Sequence, residues 1–154
     1  MSIIKVFLCF QNRKRFYNAY ILPHFDLCCV IWGNCTSVIE DKLVKLQTRA
    51  ARAILDVDFT VPSETMFTRL TWMTFPERVV YHKAIQMYKT VCGDAPDYLN
   101  NDVVFTSEIH SILLRSSSNF QLYTPRPNTE LFRFSFIFSG TSGNTLKVSV
   151  FKMV

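Results

Sequence analysis

Four cations recur along one stretch at helical spacing: Lys42, Lys45, Arg49 and Arg52. At 100° per residue they share a sector of roughly 80°. Such a row suits phosphate contact, which positions a nucleic acid without reading its sequence. Arg78, His82, Lys83 and Lys89 make a second basic set further along. A charge run of this kind is also the pattern of a solvated face, so both readings stand. Catalytic groupings are absent. No two aspartates are adjacent, as they are where paired carboxylates hold ions for nucleotidyl transfer. No Walker loop, G-x-S-x-G or H-E-x-x-H occurs. His24 and Cys28, four apart, could form half a metal site with Cys35 as a third ligand. No C-x-x-C or H-x-x-x-H accompanies them, and buried free cysteine is common. A thiol among hydrocarbon is inert. The expectation is a chain that is not an enzyme by itself and carries no metal or cofactor.

The elements that must position these groups centre on Phe16 to Leu55. Phe16 to Trp32 is nearly continuously apolar, broken by Asn18, His24 and Asp26, which predicts a central buried helix. Pro23 starts a helix or kinks one there. Gly33-Asn34 predicts a joint, because both types tolerate the left-handed end of a helix. Ser37 and Glu40 then read as a capping box opening a second, antiparallel helix. Ile39, Leu43, Leu46, Ala50, Ala53 and Val57 form its apolar stripe. The stripe should face the core, with the basic sector along its edge. Tyr17, Phe25, Trp32, Leu43, Leu46 and, later, Tyr88 are the expected core anchors.

The run Y-N-A-x-I-L-P-H-F-D-x-C-x-x-x-W-G-N occupies Tyr17 to Asn34, and D-K-L-x-K-L-Q-x-R-A-A-R-x-I occupies Asp41 to Ile54. His82-Lys83-Ala84, Met87-Tyr88-Lys89 and Ala95-Pro96-Asp97-Tyr98-Leu99 follow. In this order the blocks resemble the segment downstream of the catalytic palm in LINE-type (non-LTR) retrotransposon reverse transcriptases of the jockey kind. The resemblance spans about Tyr17 to Gly140. It implies a helical region that lies against a template–primer or the element's RNA, with the palm and its aspartates elsewhere. Residues 1–15 depart from the family pattern. So does the end, where Ser139-Gly140 is not followed by the family's W-N-S-L-P.

A chain of 154 residues is long enough to bury a core. With 49% hydrophobic and 19% charged residues it belongs with globular chains, not disordered ones. A net charge of +5 and a pI near 9.0 favour an anionic partner. RNA or DNA backbone is the partner expected, with a separate polymerase palm if one is encoded. Five cysteines, an odd number with two adjacent, do not suit a disulfide framework. They predict reduced thiols and an intracellular setting, cytoplasmic or nuclear. No apolar run is long and clean enough to span a membrane. Met1 to Phe10 lacks a basic n-region and a small-residue cleavage site, so it reads as the start of the first helix.

Beyond Leu55, Ser63 predicts the cap of a short helix to Leu70. Pro76 predicts the start of a longer one ending at Gly93. Val80, Ala84, Met87, Tyr88 and Val91 should form its apolar side. Ser116 to Asn119 reads as a polar loop. Phe132, Phe134, Phe136 and Phe138 alternate at period two, which predicts a strand paired with Phe120 to Tyr123. The expected fold is mainly α: a helical domain over 16–100, a linker over 101–119, a β-hairpin over 120–140 and a frayed tail over 141–154, preceded by the extension 1–15. Two functions remain open. One is a non-catalytic module contacting nucleic-acid phosphates. The other is a structural or protein-interaction remnant with no ligand.

Overall fold

The computed structural model describes residues 8–109 and 122–142. Residues 1–7, the Ser116 to Asn119 loop, the start of the strand expected at Phe120 and residues 143–154 lie outside the described residues. The described chain is mainly helical. It forms two compact units, Met1–Val79 and Val80–Val154.

The first unit opens with α1, Phe10–Phe16, which runs into a π-helical turn at Tyr17–Ile21 and then α2, Leu22–Asp26. Cys28 adopts φ 53° and breaks the helix before α3, Cys29–Trp32. This break re-aims the segment. Tyr17 and Cys29 are buried, but Tyr20, Leu27 and Ile31 are exposed. The uniformly buried helix expected from composition is therefore not formed. Gly33 ends α3 in the right-handed region, φ −66°. Its smallness matters for packing: a Cβ there would meet the Val79 methyls at 2.7 Å.

The basic stretch is α4, Ser37–Leu55. Thr36, not Ser37, is its N-cap, in extended conformation, and the carbonyl of Thr36 accepts from Ile39 and Glu40 N–H. Ser37 is already inside the first turn, so the capping box does not form. Gln47, Ala50, Ala51 and Ile54 are the buried residues of α4. That face is turned about 70° from the expected stripe. Leu46, expected as a core anchor, is 51% exposed, and Ile39 is exposed as well. The turn has a cause. Ala50 and Ala51 join Tyr17 and Ile54 in one core cluster with Met66, Phe67 and Leu70. Gln47 Nε2 donates to the Met73 carbonyl at 2.8 Å. Two small residues and one amide bonded through its Nε2 thus take the place of larger side chains.

α5, Ser63–Leu70, follows a loop through Phe59. α1 reaches the ends of both neighbouring helices. Arg13 Nη1 donates to the Ala53 carbonyl at 2.9 Å, and Lys14 Nζ to the Leu70 carbonyl at 3.1 Å. Cations suit the last carbonyls of a helix, where the backbone dipole is negative. A second cluster joins Cys29, Phe75 and Val79, with Phe25, Trp32 and Leu43 packed against it. Trp32 is half-buried, stacks on Phe75 at 5.3 Å, and donates its Nε1–H to the Leu27 carbonyl.

α6, Phe75–Cys92, gives its first residues to this unit and the rest to the second. In the second unit its buried residues are Lys83, Met87 and Thr90. Val80, expected on the apolar side, is exposed, and Tyr88, expected as an anchor, is only half-buried. α6 stops as predicted. Gly93 takes φ 81°, its N–H donates to the Thr90 carbonyl, and Asp94 N–H to the Lys89 carbonyl. These two bonds make a Schellman end.

Further helical turns follow: α7, Asp97–Asn100; α8, Thr106–Ile109; α9, Glu130–Arg133; and α10, Phe136–Thr141. Among the described residues there is no strand, only an isolated antiparallel bridge between Phe105 and Leu122. The expected β-hairpin is thus corrected: the phenylalanine run is helical. Its caps explain why. The Thr129 hydroxyl accepts from Phe132 N–H and the Ser135 hydroxyl from Phe138 N–H. Each hydroxyl satisfies an orphan donor of a helical first turn. Two such caps outweigh the alternation of the rings.

Candidate nucleic-acid interface

The basic row of α4 points away from the core. Its centre lies roughly opposite the buried face, not along its edge. Lys42, Lys45 and Arg49 are exposed, and Arg52 is half-buried. Among the described residues none of the four forms an ion pair. The chain reaches this arrangement because α4 buries Gln47 and Ala51 on the other side.

Arg52 has a different neighbour. Its guanidinium carbon lies 4.8 Å from the ring centroid of Phe59, within cation–π range. Phe59 is on the loop between α4 and α5 and is 87% exposed. Beside it a cleft of about 400 Å³ is lined by Lys45, Thr48, Arg49, Arg52, Phe59 and Ser63, among others. Thr48 Oγ1 donates to the Val44 carbonyl at 2.8 Å, which leaves its lone pairs turned to acceptor duty. Phe59 was not among the residues singled out by sequence. The available signal was a lone aromatic in a D-x-D-F-T turn, seven residues past Arg52.

The second basic set is not a row of free cations. In the first unit, Arg78 makes a two-pronged bond to Asp26. Nη2 donates to Oδ2 at 2.7 Å, and Nε donates to Oδ1. This hydrogen bond holds the guanidinium charged even more firmly than usual, against the opposing effect of burial. In the second unit, Lys83 is 6% exposed, buried beside Met87 and Thr90 in the burial pattern of α6. His82 is half-buried and meets the Tyr81 ring edge-on. Lys89 is exposed in the last turn.

Beneath α4, Tyr17 is fully buried and stacks on Trp72 at 4.1 Å. Burial pushes its hydroxyl up to about 12. The Arg78 charge and the Gln47 side chain pull the other way, and Asp26 adds to the rise. This cluster holds the underside of the basic helix in place and offers no nucleophile.

Among the described residues no group of three or more His, Cys, Asp or Glu side chains could hold a metal ion. No helix of the described residues is long and apolar enough to cross a membrane. No family model, curated protein or solved structure matches this chain.

Proposed function

We propose that the first unit is a non-catalytic module that contacts nucleic-acid phosphates, derived from the region downstream of the palm in a jockey-like non-LTR retrotransposon reverse transcriptase. One observation carries the contact reading. Lys42, Lys45 and Arg49 project from the face of α4 opposite its core, with no ion pair among the described residues. A phosphate can bind them without breaking an internal bond. The net charge of +5 adds a long-range attraction. The proposed origin rests on the ordered sequence blocks at Tyr17 to Asn34, Asp41 to Ile54 and His82 to Leu99. A separately encoded palm would supply the catalytic aspartates. None of the five cysteines is in a disulfide, which supports work in a reducing compartment, cytoplasm or nucleus.

A protein-interaction remnant is the second reading. The exposed side chains of Tyr20, Leu27, Ile31 and Val38 favour it. Salt titration separates the two. Each phosphate contact releases a counterion, so binding weakens with salt in proportion to the number of contacts. Replacing Lys42, Lys45 and Arg49 together by Gln should flatten the salt dependence of RNA or DNA binding by about three counterions. Affinity should fall alike for all sequences. Gln is close to Lys and Arg in helix propensity, so α4 survives. A wild-type chain that binds neither RNA nor DNA at low salt refutes the contact reading and leaves the interaction remnant.

A further inference from the structure

Resting on the phosphate-contact reading, we infer that Phe59 and the cleft beside it form a stacking site for an unpaired nucleobase, so that the strand held by α4 is single-stranded. Phe59 contributes little to folding. At 87% exposed it buries almost no surface, and it belongs to neither core cluster of the first unit. It is nevertheless oriented, because Arg52 lies over one face of its ring at 4.8 Å. The ring as a whole stays open to solvent. A flat π-face held next to cations is the arrangement by which single strands bind without sequence preference: bases stack while phosphates are neutralised.

The surroundings fit a nucleotide in size and charge. The cleft of about 400 Å³ lies within the roughly 300–1,000 Å³ range of small-ligand clefts. Lys45, Arg49 and Arg52 line it, the Thr48 and Ser63 hydroxyls join them, and no acidic side chain is among its walls. Asp56 and Asp58 flank the loop but do not line the cleft. Lys45 and Arg49 therefore serve both surfaces. They belong to the outward row of α4 and to the wall of the cleft that holds the ring. A phosphate on the row brings the adjoining base to Phe59. A duplex cannot use this site, since its bases are stacked on one another inside the helix.

The test compares three probes at low salt on the full chain: a thymidine oligonucleotide, an abasic phosphodiester oligomer of equal length, and a blunt duplex. Wild-type protein should bind the thymidine strand more tightly than the abasic one, by about 5- to 150-fold for one stacked base. Phe59→Leu should erase that difference while leaving abasic and duplex binding and their salt slopes unchanged. Phe59→Trp should keep the preference, and its fluorescence should be quenched by the thymidine strand but not by the abasic one. Equal wild-type binding of thymidine and abasic strands overturns the inference while the phosphate reading stands. So does a Phe59→Leu variant that weakens all three probes alike. If no probe binds, the phosphate reading fails and the stacking site fails with it.

Discussion

Tyr17 carries more of the first unit than its position at the start of an apolar run suggests. Its ring stacks on Trp72 and its side chain is wholly out of water. Its hydroxyl lies buried with no partner at hydrogen-bonding geometry, as does Gln47 Oε1. A cleft of about 280 Å³ lined by Gln47, Lys14, Trp72 and Arg78, among others, lies beside the Gln47 side chain. The raised value near 12 makes this hydroxyl a reporter of folding. Below pH 10, tyrosine is protonated in both folded and unfolded chains, and its contribution is fully present. Between about 10 and 12 only the unfolded chain releases the proton, so stability falls as pH rises through that window. Denaturant midpoints measured across pH 9 to 12 should show this loss, of order 2 kcal/mol. Tyr17→Phe should remove that part of the alkaline slope and change stability at pH 7 by less than about 1 kcal/mol. A slope identical in the two proteins would place the hydroxyl in water.

Helix ends show which local signals decide and which are overruled. α5 ends in the same two bonds as α6: Thr71 N–H donates to the Thr68 carbonyl and Trp72 N–H to the Phe67 carbonyl. At Gly93 the left-handed residue is a glycine, and the stop of α6 was legible in the sequence. At Thr71 it is a β-branched residue with φ 57°, and no sequence rule places one there. An L-residue in that region costs about 1–2 kcal/mol. Thr71→Gly should therefore raise the thermal midpoint, with a net gain of about 1 kcal/mol after the extra freedom of glycine in the unfolded chain. A lowered midpoint would mean that the threonine side chain packs in a way that outweighs its strain. The same contrast runs through the other elements. Pro76 was readable because the signal and its effect are adjacent, whereas Gly33 ends its helix in the right-handed region and is needed for its close packing on Val79. The facing of α4 was not, because Gln47 finds its acceptor in Met73, 26 residues on. The Arg78–Asp26 pair spans 52 residues, so spacing alone left Arg78 grouped with free cations. The phenylalanine run misled for a different reason. Ring alternation is visible over seven residues, whereas the capping hydroxyls of Thr129 and Ser135 act through single bonds.

On the scale of the whole chain, what remains is charge. The basic row was legible as residue types at helical spacing, but its outward direction required the fold, and Phe59 required the loop that carries it. The long-range field needs neither, because it follows from the net charge of +5. It predicts an effect of acidic residues outside the basic row of α4. Asp41, Asp94 and Asp102 are exposed. Asp41 lies past the first turn of α4, and Asp94 and Asp102 lie outside the helices, so none favours a helix dipole as an acid in a first turn would. Replacing all three by Asn removes three negative charges and takes the net charge from +5 to +8. The number of phosphate contacts does not change, so the limiting salt slope should stay that of wild type. The association rate with an oligonucleotide should rise at low ionic strength, because steering acts across the whole surface. The gain should shrink as salt approaches about 0.15 M, where the screening length is about 8 Å. Stopped-flow association at a series of salt concentrations measures both quantities. A rate that does not respond to the loss of the three negative charges would mean that binding is not steered by net charge. An equal gain at all salt concentrations would mean that one of the three aspartates stood in the interface, next to a phosphate it repelled.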